Sequence, residues 1–403
     1  MAGTTSAEFI RMNDPNGSIT IVMEEPEILY SRVMLPHYLR DQIPFERLYV
    51  RKQEQYDEKN IELSKGTRAD KIDTRNKKIY LIGGQEIEYK KLLVASGGKV
   101  NKLSVPGGDL KGITYLRTIQ DVKEVKELMN IAKGGVVIGG GFIGIEYAQS
   151  FVKAKLKTIC IIREPYFWSN VVGENSGRLI NKILQTNGVE IITQDQVKEF
   201  VGNGSLRLVR TEKGKEIQSE IAGVGVGIHV DLDHLKRSGL NINKGVITDE
   251  YLETETQDVW AAGDIAEFYD VIFDKHHQLG NWSNAAAQGK VVGPNMVVGW
   301  GGEGREKFTT VSTYTISIFG GTFSFLGDSV PDPQTELIER GSVEEGKLGR
   351  LHIKNGILVG ASLINLSSDR NGASALIKGR VKITESKNKL SDINFSLSNL
   401  LPA

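Results

Sequence analysis

The sequence predicts an α/β protein of more than one domain, built on parallel strands joined by crossover helices. Three observations carry this. The run Gly134-Gly135-Val136-Val137-Ile138 is apolar and β-branched, breaks into glycines at 139–141 and continues with a helical pattern, which is the strand, tight turn and helix of a βαβ unit. A second apolar strand, residues 157–162, follows at the spacing such a unit needs. The 403 residues, 39% hydrophobic and 25% charged, are enough for two or three separate cores.

Taken in order, the chain opens with a helical start of small residues over 1–11, turns through Asp14-Pro15-Asn16-Gly17 and enters a strand at 18–22 that stops at Glu24-Glu25-Pro26. A polar helical segment is expected at 54–60, and β pattern dominates 61–93, with a Gly83-Gly84 turn. Its last strand delivers Val94-Ala95-Ser96-Gly97-Gly98, small residues over which a backbone can pass close to a ligand. Residues 119–129 are amphipathic, with Val122, Val125 and Met129 on one face. After the central unit come a helix at 176–185 and strands at 189–193, 197–201, 206–211 and 217–221. Residues 259–262 form an apolar strand that ends in Gly263-Asp264. A small-residue helix at 282–296 is suited to packing under something flat, and strands, a final helix and a polar tail complete the chain.

Fifty Lys and Arg balance 50 Asp and Glu, so no global charge selects nucleic acid or an anionic membrane. No apolar run approaches the roughly 18 residues of a membrane span. The first turns carry Glu8 and Arg11 and no apolar signal core, so a cytoplasmic location is the expectation. The single cysteine, Cys160, allows neither an intrachain disulfide nor a two-cysteine relay, and its place between Ile159 and Ile161 predicts a buried core residue. No metal site is expected.

Gly139, Gly141 and Gly144 fit the G-x-G-x-x-G pattern. The first glycine permits the turn, the second lets the backbone approach a pyrophosphate, and the third lets the helix pack on the strand, while the helix N-terminus offers N–H groups to the phosphates. The same pattern also serves as a purely structural turn. Arg163-Glu164 closes the second strand, Glu164 lying twenty positions after Gly144, where a group meeting an adenosine ribose is expected; the pair also reads as a surface ion pair. An echo lies at the N-terminus, where Gly3 to Glu24 spans 21 positions and Thr-Ile…Glu-Pro recurs at Thr20 to Pro26 and Thr158 to Pro165. Gly263-Asp264 sets a carboxylate at a strand end, either to accept from ligand hydroxyls or to cap the next helix.

Together, over residues 1 to about 325, these stretches resemble the FAD-dependent pyridine nucleotide-disulfide oxidoreductases with two dinucleotide-binding domains. In particular they resemble the NAD(P)H:rubredoxin and ferredoxin reductases and the flavin module of nitrite reductases. The resemblance implies two Rossmann-like domains of the three-layer ββα type, the NAD(P)H domain (111–239) inserted in the FAD domain (1–110 and 240–320), with a small α+β C-terminal domain (321–403). It implies FAD contacts at Gly3, Glu24, Arg32, Ala95, Ser96, Gly97, Gly263 and Asp264. For the nicotinamide nucleotide it implies contacts at Gly139, Gly141, Phe142, Ile143, Gly144, Arg163 and Glu164. The chemistry implied is hydride transfer from nicotinamide C4 to flavin N5, followed by release of electrons to an acceptor such as rubredoxin or ferredoxin. No acid–base pair is required, and no catalytic residue is nominated. Gly144 leans the coenzyme towards NADH and Arg163 towards NADPH, the first lean being slightly the stronger. A homodimer is left open.

Three departures from the family pattern bear on these expectations. The opening strand and first two glycines of the FAD fingerprint are absent before Met1, so the reading frame is incomplete or the FAD site is impaired. The alternatives are an FAD-impaired nucleotide-binding or regulatory remnant, or the electron-input module of a nitrite reductase-like system. Val33 stands where thiol-dependent members carry a redox cysteine, and His37 stands for the lysine of the ferredoxin-reductase version.

Overall fold

The computed structural model describes residues 1–402 and divides into two compact units, Met1–Ser31, Glu46–Lys99 and Ile228–Thr310 in the first, Arg32–Phe45, Val100–Gly227 and Val311–Ala403 in the second.

In the first unit the opening helix, Ala2–Asn13, buries Ala2, Thr4, Thr5, Ser6 and Ala7. It lies on the helix Trp282–Val298. A Cβ on Gly289 would stand 2.6 Å from the Ala2 carbonyl oxygen, and one on Gly293 would stand 2.8 Å from that of Ser6. The small residues of the 282–298 helix therefore serve helix-to-helix contact, and what lies against them is a backbone. The parallel strands form three separate pairs, Ile19–Met23 with Ile61–Lys65, Leu92–Val94 with Val259–Ala261, and Val246–Thr248 with Ala266–Asp270. The core holds Leu92, Val94, Val246, Val259, Ala261 and Ile265.

The second unit contains a five-stranded parallel sheet with the lateral order Val189–Ile192, Lys157–Ile161, Gly134–Ile138, Ile221–Val224 and Ile113–Thr114. Residues 136–138 and 158–161 are buried without alternation, as strands covered on both faces must be. The strand expected at 217–221 is two elements. Glu216–Gln218 closes an antiparallel meander, and Ile221–Val224 joins the parallel sheet. The run breaks where the Ser219 N–H donates to the Arg207 carbonyl and the Glu220 N–H to that of Gly134, with the single Ser219 hydroxyl proton within reach of the Gly134 and Ile221 carbonyls.

The helix Ile119–Ile131 is capped by Thr118 and buries Ile119, Val122, Val125, Leu128 and Met129. The segment Arg32–Phe45 belongs to this unit because Lys126 lies 4.0 Å from the centre of the Tyr38 ring and 2.5 Å from Asp41, and Arg40 pairs with Glu146. A five-stranded antiparallel sheet over residues 313–364, followed by the helix Asp369–Lys378, completes the unit. Among the described residues, no helix is long and apolar enough to cross a membrane.

His352, on the strand Lys347–Lys354, is fully buried and neither ring nitrogen has a hydrogen-bond partner. Burial, with Arg350 adding to it, pushes its pKa down to about 4. The unfolded chain therefore binds a proton between pH 6.5 and about 4 that the folded chain refuses, so stability is complete above that window and falls as pH drops through it. The loss approaches about 3 kcal/mol below pH 4. Urea unfolding midpoints at pH 7 and pH 5 should differ in the unaltered chain, and His352→Phe should flatten that difference.

Candidate cofactor sites

In the first unit Gly3, Ala95 and Gly263 lie close together, the last two just past the ends of parallel strands. Ala95 leaves the strand Leu92–Val94, and a Cβ on Gly3 would stand 3.6 Å from the Cβ of Ala95. Ser96 is exposed, and Gly97 has φ +69°, a conformation that favours glycine. Gly263 leaves the neighbouring strand Val259–Ala261 with φ +83°, and its Cβ position lies 3.5 Å from the Cβ of Ala2. Its N–H donates to Gln288 Oε1 at 2.5 Å. Gln288 is fully buried and its Nε2 has no partner, a spare donor beside the same turn. Asp264 is half-buried, and its carboxyl carbon is 3.5 Å from the Cβ position of Gly280. Glu24 follows the strand Ile19–Met23 and is largely exposed, 3.7 Å from Arg68. Small residues, a turn in the left-handed region, an uncommitted buried donor and a carboxylate at a strand end together fit a dinucleotide such as FAD. Arg32 lies in the second unit, where its guanidinium donates to the Arg117 carbonyl at 2.9 Å.

The second unit holds the complete glycine fingerprint. Gly139 turns with φ +108°, and a Cβ there would stand 2.3 Å from the Gly225 carbonyl oxygen. A Cβ on Gly144 would stand 2.0 Å from the carbonyl oxygen of Gly139, so only glycine lets the helix Phe142–Lys153 sit this close to the turn. Gly141, the N-cap, would meet only the Gly225 oxygen, at 3.8 Å, and so leaves room beside the backbone. No side chain caps this helix. Its first N–H groups are thus left for an anion, which fits the pyrophosphate of a nicotinamide nucleotide.

Ile143 is 36% exposed, whereas the Phe142 ring turns into an aromatic cluster. It lies 4.0 Å from Tyr314, 4.9 Å from Trp168 and 5.6 Å from Phe325, centre to centre. Trp168 is held in this cluster with φ +55°, a strained conformation for a bulky residue. Beyond Ile161, Arg163 and Glu164 form an exposed ion pair at 3.5 Å.

Three groups that sequence reasoning did not single out meet at this helix, Glu146 on it and Arg40 and Tyr314 against it. Glu146, two residues past Gly144, pairs with Arg40 at 2.5 Å, the two side chains only 13% and 9% exposed. Burial pushes the Tyr314 hydroxyl up to about 12, and the Glu146 charge adds to the shift. The Arg40 signal was one turn beyond His37, at the end of the helix Leu35–Leu39. His37 itself is half-buried, with Nδ1 unpartnered. Cys160 is fully buried, and burial raises its thiol to about 12. Val33, in the place of a redox cysteine, is half exposed. Among the described residues, no three His, Cys, Asp or Glu side chains are grouped to hold a metal.

The sequence matches the family model for pyridine nucleotide-disulphide oxidoreductases over residues 1–289. The chain belongs to that family. Membership makes it an oxidoreductase that uses FAD and NAD(P)H. It is 25% identical over 386 residues to the nitrite reductase [NAD(P)H] of Bacillus subtilis (strain 168), covering 96% of this chain and 47% of that protein. The chain thus spans about half the length of that relative. It is 24% identical over 404 residues to the ferredoxin–NAD(+) reductase component of the biphenyl dioxygenase system of Paraburkholderia xenovorans (strain LB400), covering 100% and 97%. It is 27% identical over 293 residues to the rubredoxin-NAD(+) reductase of Pseudomonas putida, covering 72% and 76%. Its fold is that of putidaredoxin reductase in the covalent complex with putidaredoxin, with TM-score 0.91, 22% identity and coverage of 99% and 95%.

Gly139→Ala should destabilise the protein by about 1–3 kcal/mol, from strain at positive φ and the clash with the Gly225 carbonyl. Urea unfolding and NADH titration should show a lower midpoint and weaker binding together. A variant as stable as the unaltered chain would mean that the turn relaxes freely.

Proposed function

We propose that this chain draws electrons from a nicotinamide nucleotide through FAD and delivers them to a small redox protein of the ferredoxin or rubredoxin type, in the cytoplasm. The observation that carries this reading is the pairing of two dinucleotide sites with a thiol inventory of one buried cysteine. A protein dithiol cannot take the electrons when the one thiol is fully buried and titrates near 12. The names of the Paraburkholderia and Pseudomonas relatives, which are ferredoxin and rubredoxin reductases, support the class of acceptor. When bound, FAD accepts a hydride equivalent from the nicotinamide and passes electrons onward.

The residues of this chain bind and orient. Gly139, Gly141 and Gly144 seat the pyrophosphate of the coenzyme at the N-terminus of the 142–153 helix, and Arg163 and Glu164 face its adenosine ribose. Gly3, Ala95, Ser96, Gly97 and Gly263 give FAD close backbone approach, with Glu24 and Asp264 accepting from its hydroxyls. Arg32 is assigned to FAD from the family pattern alone. We take NADH as the preferred coenzyme, because a carboxylate is present at Glu164 and glycine stands at 144.

The purified protein should be yellow, and its flavin absorption should bleach on anaerobic mixing with NADH in a stopped-flow instrument. Bleaching with NADPH should be slower; an equal or faster rate would end the NADH assignment. A colourless protein that still binds NADH would favour a nucleotide-binding remnant over an electron carrier.

A further inference from the structure

We infer that Arg68 is a positioning residue for the adenosine half of FAD, aiming the Glu24 carboxylate through a chain of four alternating charges, Glu24, Arg68, Asp231 and Lys99. This rests on the reading of Glu24 as the group that meets the adenosine ribose.

The four side chains belong to one unit. Three of them leave the carboxyl ends of parallel strands, where α/β folds place their ligands. Glu24 is one residue beyond Ile19–Met23, Arg68 three beyond Ile61–Lys65, and Lys99 five beyond Leu92–Val94. Arg68 divides its guanidinium between two carboxylates, Nη1 lying 3.7 Å from Glu24 Oε1 and Nη2 3.0 Å from Asp231 Oδ2. The same Asp231 oxygen takes Lys99 Nζ at 2.8 Å, and Oδ1 accepts the Asp233 N–H at 3.1 Å. These contacts, with Lys99 foremost, hold the Asp231 carboxyl down to about 2.

Asp231 is thus fixed from three directions and anchors one arm of Arg68. The planar fork of an arginine then sets where its other arm points. That arm meets Glu24, whose side chain is 58% exposed. An exposed pair at this distance adds little to folding stability. Its effect is to restrict the carboxylate before ribose hydroxyls arrive, which lowers the ordering cost of binding.

The test uses flavin-free protein prepared from the full chain, with FAD affinity read by quenching of flavin fluorescence and folding read by thermal melting. Arg68→Ala also removes the 3.0 Å contact to Asp231, so it should lower the melting temperature of the flavin-free protein by no more than about 4 °C, while weakening FAD binding about fivefold, a loss of roughly the size of one hydrogen bond. Arg68→Lys should recover part of that affinity. Glu24→Gln should weaken FAD binding at least as much, and the double variant should bind no worse than Glu24→Gln alone, because Arg68 acts through Glu24. Additive losses, or an Arg68→Ala protein that binds FAD normally while Glu24→Gln does not, would overturn the role of Arg68 and leave Glu24 in place. A Glu24→Gln protein with unchanged affinity, or an unaltered chain that takes up no FAD, would overturn the reading of Glu24 and the inference with it.

Discussion

The glycine fingerprint of the second unit depends on the space beside one carbonyl oxygen, that of Gly139. A Cβ on Gly144 would stand 2.0 Å from it, so any side chain there would lift the 142–153 helix off the turn. Gly225 closes the other side, its oxygen 2.3 Å from the Cβ position of Gly139 and its own Cβ position 2.8 Å from the Gly144 N. Three glycines on three elements therefore lock strand, turn and helix into one geometry, and that geometry aims the uncapped helix end. The first unit uses the same device between two helices, where Gly289 and Gly293 admit the backbone of residues 2–6. Close packing of this kind tolerates almost no added volume.

A second constraint is electrostatic. Arg40 and Glu146 are both mostly buried, and desolvating such a pair costs about as much as its attraction returns, so it is weak as a source of stability. What it fixes is place. Glu146 belongs to the helix that the glycine fingerprint opens, and Arg40 ties that helix to the segment 35–40. With Phe142 packed on Tyr314, the helix is held by an ionic contact on one residue and an aromatic one a turn earlier.

Much of this was legible in the sequence, and the reasons differ by element. The central strand and its glycines were readable because β-branched residues and a turn that needs positive φ leave few alternatives. Cys160 was readable from its neighbours alone. The break at Ser219 was not, since the alternation runs across it and the division is made by long-range hydrogen bonds, Ser219 N–H to the Arg207 carbonyl and Glu220 N–H to that of Gly134. The close packing of the 282–298 helix was readable and its partner was not, because small residues announce a close approach without saying to what. Arg40 with Glu146, and Phe142 with Tyr314, are pairs separated by more than a hundred residues, and no local pattern marks them. The chain Glu24, Arg68, Asp231 and Lys99 was hidden because its members leave different strands and loops, although Glu24 itself was visible from its spacing.

Cys160 lies inside the strand Lys157–Ile161, with Val137 and Ile191 beside it on the flanking strands. No other sulfhydryl exists in the chain. Alkylating reagents can therefore reach a thiol only when the parallel sheet itself opens, which turns the rate of modification into a gauge of how often that opening happens. The same silence makes the molecule a clean background for attaching a spectroscopic label through a cysteine introduced at the surface.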